Sequence, residues 1–257
     1  MEAQSITKLK PRTTTGAQVI PKGENAWRLE IPGGEKGHYR LAQLDDYGSL
    51  PRRGYRWNAP AHLSLRACAS SAGIPGTWGF GLWNDPMTVA ALSGAEMLRL
   101  PALPNAAWFF FASPPNYLSF RDDLPAQGAL AATFRSPPLP ALLLTLSAPA
   151  LALFLVPRFA RLGRRLAARL IRQDAVQLDL DPTIWHEYEL NWQARRVIFT
   201  IDGRNILETQ ASPRGPLGLV IWVDNQFAHL TPEGRLGFGT LDNPRTSWIE
   251  IEDLSLN

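Results

Sequence analysis

One cysteine, Cys68, occurs in the 257 residues of the chain. A single thiol excludes an internal disulfide framework and any cysteine-built metal cluster, and Cys68 reads as a small buried hydrophobe. Histidine is almost as scarce: His38, His62, His186 and His229 are scattered without metal-ligand spacing, so no metal site is expected. Neither sign of charge dominates, because 26 Lys and Arg against 23 Asp and Glu leave +3. That balance is too small to indicate nucleic acid as a partner. Gly79-x-Gly81 and Gly237-x-Gly239 lie inside strand-like runs with no helix after them, which excludes phosphate loops, and no cofactor is implied. The opening MEAQSITKLKPRTTTG has no apolar core behind its positive charges. A secretory signal is therefore not expected, and the cytoplasm is the default location.

What the chain does contain is short apolar runs separated by turn residues, served by 22 Pro and 20 Gly. In TIWHEYELNWQARRVIFTIDG (183–203), Trp185, Glu187, Glu189 and Asn191 alternate with His186, Tyr188, Leu190 and Trp192. Val197, Phe199 and Ile201 then alternate with Ile198 and Thr200. Period-2 alternation of aromatic and β-branched residues marks half-buried strands. Residues 193–195 supply one polar turn, and Asp202-Gly203 supplies the next, since that pair tolerates positive φ. Similar runs recur from Trp27 onward with no helix-length amphipathic segment between them, which predicts a sandwich or barrel. The apolar run AAWFFF (106–111) predicts a buried strand, and SWIEIEDLSL (247–256) a closing strand that pairs near the N-terminus. Residues 1–23 read as a flexible tail or edge strand, and 24–257 as one β-sandwich domain.

One region, 137–173, breaks the pattern and reads as an inserted helical segment. No charged residue occurs from Leu139 to Val156, and six arginines follow from Arg158 to Arg172. Phe159, Leu162, Leu166 and Leu170 recur at helical spacing, and Arg158, Arg161, Arg165, Arg169 and Arg172 form a second stripe. A transmembrane span is excluded, since the apolar half is barely long enough and Pro149 lies within it. A single crossing would also divide one sandwich between the two sides of a membrane. The remaining readings are an in-plane contact with a membrane surface, which would make the protein peripheral, a contact with a protein partner, or a helical hairpin packed on its own sheet.

Trp185-His186-x-Tyr188-x-Leu190-x-Trp192 followed by Ile198-Phe199-x-Ile201-Asp202-Gly203 resembles the strand pair of the concanavalin A-like lectin/glucanase superfamily. Gly76-Thr77-Trp78 with Leu82-Trp83, and the ending Gly237-Phe238-Gly239 with Trp248-x-Glu250-Ile251, are similar to laminarinase-type, family 16 glycoside hydrolases. The resemblance implies an all-β fold: an antiparallel jelly-roll sandwich of two curved sheets, here with a helical insertion, whose concave face binds glycans in many relatives. Those hydrolases carry Glu-x-Asp-x-x-Glu on a strand soon after the Gly-x-Trp segment, because retaining hydrolysis needs a nucleophile and an acid/base on one strand face. The comparable strand here, 108–113, reads WFFFAS, and no carboxylate occurs between Glu96 and Asp122. The resemblance thus implies the scaffold without its catalytic machinery.

Candidate ligand residues follow from strand alternation. Trp222, Asp224 and Gln226 fall on one face, pairing a ring that stacks on a sugar with groups that take hydroxyls. Trp83 and Asn84 offer the same combination, and Trp108 stands where the missing carboxylates would have lined the cleft. For each the plain alternative is packing or a solvated turn. His186 reads as a packed or hydrogen-bonded side chain. The expected function is a non-hydrolytic protein that binds a glycan or small amphipathic ligand on the concave face. The alternatives are a divergent glycoside hydrolase with relocated catalysis, Asp224 or Glu187 acting as base, and a membrane-associated or assembly protein acting through 137–173.

Overall fold

The computed structural model describes residues 9–86, 99–146 and 153–257. Its strands, in chain order, are β1 (Lys10–Thr13), β2 (Gln18–Gly23), β3 (Ala26–Ile31), β4 (Leu41–Asp45), β5 (Ala61–Ala69), β6 (Thr77–Trp83), β7 (Ala106–Ala112) and β8 (Gly128–Arg135). After the helices α1 (Ala141–Leu146) and α2 (Pro157–Leu170) come β9 (Arg172–Leu178), β10 (His186–Gln193), β11 (Arg196–Ile201) and β12 (Arg204–Thr209). The chain then forms β13 (Gly218–Asp224), β14 (Gln226–Leu230), β15 (Leu236–Thr240) and β16 (Ser247–Leu256).

Two seven-stranded antiparallel sheets make an all-β jelly-roll sandwich. The first has the order β1-β4-β13-β6-β7-β8-β9 and the second β12-β11-β10-β5-β16-β3-β2, while β14 and β15 form a separate hairpin. The N-terminal region supplies an edge strand to each sheet, β1 to the first and β2 to the second. The closing strand β16 pairs with β3, Ser247 opposite Ile31 through Ile251 opposite Trp27.

The second sheet shows why alternation makes strands. In β10, Tyr188, Leu190 and Trp192 are buried, whereas Glu187, Glu189 and Asn191 point away from the core. Asp202 (φ 49°) and Gly203 (φ 73°) make the two-residue link from β11 to β12, both in the left-handed region that such a hairpin turn needs. Across the sandwich, Phe109 meets Tyr188 and Phe199 edge-on at 5.0 and 5.2 Å. Each large side chain buried in this way contributes about 1.5–3 kcal/mol.

The first sheet behaves differently. β4 and β13 are buried along their whole lengths, and β6 and β7 nearly so. One face meets the second sheet, and the other carries a second apolar cluster that includes Tyr47, Tyr55, Phe110, Phe134 and Trp222. A strand covered on both faces has no reason to alternate, which is why β7 reads AAWFFFA.

The inserted segment holds both helices and ends earlier than its arginine stripe suggests. α2 begins with Pro157 at its first position and carries Arg169 in its last turn, a combination suited to both helix ends. β9 begins directly after it at Arg172, so Arg172 belongs to a strand and not to the helical arginine stripe. Of the apolar run before α2, residues 147–152 lie outside the described residues.

Candidate ligand-binding site

On the outward face of the first sheet, tryptophans from three neighbouring strands converge. Trp108 of β7 lies 5.6 Å from Trp222 of β13 and 5.8 Å from Trp83 of β6, ring centre to ring centre. Phe110 and Phe134 extend the wall, 5.6 and 6.0 Å from Trp108. The strand between the outer two tryptophans has to be low to admit their rings. Gly79 and Gly81 meet that need: a Cβ at Gly79 would lie 2.9 Å from Trp222 Cη2, and one at Gly81 would lie 2.6 Å from Trp108 Cβ. Gly79 thus leaves room for the Trp222 ring and Gly81 for the backbone and Cβ of Trp108, and both also lie against β7 carbonyls, those of Phe109 and Ala107.

A polar row borders the wall. Trp222 Nε1 donates to Thr77 Oγ1 at 2.9 Å, and Thr77 Oγ1 donates to Asp224 Oδ1 at 2.8 Å. Asp224 also accepts from the Thr77 and Gln226 amides and, at 3.3 Å, from the Tyr39 hydroxyl. Burial pushes the Asp224 carboxyl up to about 6, although these donors favour its charged form. Burial, and then the nearby Asp224 charge, raises the Tyr39 hydroxyl well above its ordinary value. Next along the face, Gln43 donates to Asp45 Oδ2 at 2.7 Å, and Arg12 pairs with the same carboxylate at 3.3 Å.

Loops roof this face. Tyr47 packs on Tyr55 at 5.0 Å and edge-on against Trp83 at 6.1 Å, and its hydroxyl accepts from Trp83 Nε1 at 2.7 Å. Arg99 locks that loop by donating to the Tyr47, Gly48 and Leu50 carbonyls, and it pairs with Asp85 at 2.9 Å. From the other side come Phe120, Leu124, Ala126 and the inner end of α2, through Ala167 and Ile171. Trp222 keeps 8% of its surface exposed and Asp224 6%, while Trp83 and Trp108 are half-buried.

Of the residues expected from the sequence, the structure brings Trp83, Trp108 and Trp222 together with Asp224 beside them, and places Gln226 and Asn84 elsewhere. Trp222 and Asp224 form a floor under other side chains, not an open strand surface. Gln226 does not continue their face, because the strand ends at the buried Asn225. That side chain accepts from the Arg40 amide at 2.8 Å and donates to the His38 and Leu241 carbonyls. Gln226 then starts the separate hairpin. Asn84 is committed to structure, donating to the Leu103 carbonyl and accepting from the Asn105 amide. Glu187 is exposed on the second sheet, remote from Asp224's face. His186 is hydrogen-bonded, its Nδ1 2.6 Å from Asp202 and its Nε2 3.0 Å from the Asp181 carbonyl oxygen. Although partial burial raises Asp202, the His186 and Glu187 hydrogen bonds hold it below its ordinary value.

Arg158, Arg161, Arg165 and Arg169 are exposed on α2. Arg172 instead lines an open cleft of about 1030 Å³ with Arg135, Arg195, Arg196 and Glu208. Sequence reading missed Arg164, although its position out of phase with the other helical arginines was a usable signal. It also missed Tyr39, Gln43 and Tyr47, which no motif marks. Among the described residues, no group of His, Cys, Asp or Glu side chains is arranged to hold a metal ion.

No protein-family model matches the chain, and no curated protein does. Solved structures do. A glycoside hydrolase family 16 endo-glucanase from Bacteroides ovatus aligns at TM-score 0.51 and 9% identity, covering 97% of this chain and 93% of its own. A second family 16 protein from Bacteroides ovatus, of a mixed-linkage glucan system and in complex with a G4G4G3G product, gives 0.50 and 9%, covering 100% and 96%. A legume lectin-like domain from Entamoeba histolytica gives 0.48 and 11%, covering 97% and 89%. At such identity the likeness is one of architecture, and the chain has the concanavalin A-like jelly-roll fold of the family 16 glucanases.

Proposed function

We propose that this chain is a non-hydrolytic binding protein for a short glycan or a similar small amphipathic molecule. The ligand is taken at the wall formed by Trp83 and Trp108, with Trp222 as its floor. One observation carries the reading: three tryptophans from three adjacent strands meet on one sheet face, and two of them keep solvent access. An indole ring covers the apolar face of a sugar, and nearby polar groups take its hydroxyls. The roofing loops favour a short or terminal ligand over a long polymer threading the face. A related fold in complex with an oligosaccharide product gives the reading further support.

The outward positions of β7 argue against hydrolysis, since they are Ala106, Trp108, Phe110 and Ala112. Asp45 stands opposite Val220, four residues from Asp224 on β13, an offset of roughly 13 Å between their backbone positions along the strand, and Gln43 binds Asp45 between them. A glycosidase pair requires about 5–9.5 Å. Screening an immobilised glycan library with the wild-type chain, Trp83→Phe and Trp108→Ala tests the proposal. Selective retention that Trp108→Ala loses is expected; retention unchanged in both variants refutes the site.

A second reading is favoured by Asp224, a carboxyl held at about 6 on that same face, as a general acid would be. Cleavage of a β-glucan or related substrate that Asp224→Asn abolishes would establish it and displace the binding role.

A further inference from the structure

We propose that α2 is an in-plane docking element for an anionic phospholipid surface, a role separate from the ligand site above. The helix is mounted inside out. Its inward face is Ala160, Arg164, Ala167 and Ile171, at positions i, i+4, i+7 and i+11. Arg164, only 4% exposed, donates to the carbonyls of Leu230 and Arg121 at 3.0 Å and of Ser119 at closer range. It also pairs with Asp122 at 2.8 Å. Polar bonds through a buried guanidinium therefore fix the rotation of the helix, and its leucines are left outside.

Leu162, Leu166 and Leu170, one helical stripe, are 54%, 49% and 49% exposed, and Leu155 just before the helix is 77% exposed. An ordinary surface helix turns such a stripe toward its own core, so a contiguous exposed apolar strip marks a contact surface. The partner's chemistry is set by what flanks the strip. Arg158, Arg161, Arg165 and Arg169 are all exposed beside it, and the sequence has no Asp or Glu between Asp123 and Asp174. Leucines at acyl-chain depth with guanidiniums at the phosphate level fit an anionic bilayer surface. The β14–β15 hairpin neighbours the start of the helix. Gly234, in its turn, packs against Pro157 and Arg161 at the start of α2, and β15 displays Phe238 with 75% of its area exposed. No helix among the described residues is long and apolar enough to cross a membrane, so the contact lies along the surface.

The test is co-sedimentation of the intact chain with phosphatidylcholine vesicles, with and without phosphatidylglycerol, at low and high salt. Binding is expected only with phosphatidylglycerol and is expected to weaken with salt. The pair Arg161→Gln and Arg165→Gln lowers partitioning about 30-fold, as two surface charges should. The pair Leu162→Ser and Leu166→Ser lowers it about tenfold or more. Both pairs change exposed side chains, and circular dichroism verifies that the variants fold. Arg245→Gln, an exposed change elsewhere, leaves binding as in the wild type. Absence of binding to anionic vesicles overturns the proposal, as does binding that neither pair reduces. A dimer in sedimentation velocity that the leucine pair dissolves also overturns it, assigning the strip to a second copy of the chain.

Discussion

Asp224 lies beneath the aromatic wall, and its protonation makes a specific demand on stability. Burial raises its carboxyl from 3.8 to about 6 in the folded chain. A raised folded-state value means that the native state binds the proton more tightly than the unfolded chain does. The resulting stabilisation is complete below 3.8 and is lost as pH rises through about 6. Each tenfold gain in proton affinity is worth about 1.4 kcal/mol, so a pKa higher by roughly two contributes about 3 kcal/mol. Replacing Asp224 with Asn keeps the shape and removes the titration. Urea unfolding of the wild type and Asp224→Asn from about pH 4 to 7.5 then isolates the effect. Asp46, also raised to about 6 chiefly by burial, titrates in both proteins and cancels in the difference. The wild type should lose about 2.4 kcal/mol relative to the variant between about pH 4 and 7, most of it below about 6. A difference constant across that range would refute the argument that this carboxyl is desolvated.

Other perturbations probe the supports of the site and the helix. Arg164→Met strands the Ser119, Arg121 and Leu230 carbonyls and leaves Asp122 unpaired, at a cost of about 3–5 kcal/mol in docking α2. Hydrogen exchange over 157–170 should therefore accelerate about a hundredfold or more, and unchanged protection would contradict the clamp. Gly81→Ala puts a methyl group 2.5 Å from Trp108 Cα and 2.6 Å from its Cβ. It should destabilise by about 2–3 kcal/mol. Gly73→Ala, with nothing within 4 Å, should stay within about 0.5 kcal/mol of the wild type in the same urea titration.

The parts of the fold visible in the sequence were those set by local rules. Alternation in 185–201 and the Asp202-Gly203 turn specify β10 to β12 because one face is buried and the turn geometry is local. The unalternating AAWFFFA already carried the information that both faces of β7 are covered, though it could not say by what. The covering is long-range: Tyr47 and Tyr55 come from one loop, Phe120 and Leu124 from another, and Ile171 from the end of α2. For that reason Trp222 and Asp224 looked like surface residues. Three tryptophans at 83, 108 and 222 become neighbours only through the order β13-β6-β7, which no spacing in the chain encodes. The arginine stripe of α2 was legible from its period. Its orientation was not, because that depends on which face Arg164 anchors to carbonyls 43 to 66 positions away in sequence.

These features combine into a sandwich in which the outward face of one sheet is an apolar wall. Aromatic rings from β6, β7 and β13 build that wall, and loops close over part of it. The surviving access, at Trp83 and Trp108, suits recognition of a small ligand by stacking.

The most direct test of that claim is calorimetric titration of a series of short β-glucan oligosaccharides into the wild-type chain and Trp108→Ala, with chromatography of each sample afterwards. Saturable binding by the wild type, weakened about tenfold or more in Trp108→Ala, with the oligosaccharide recovered intact, is the predicted result. Absence of binding across the series, equal affinity in the variant, or shortened oligosaccharide in the recovered sample would contradict it.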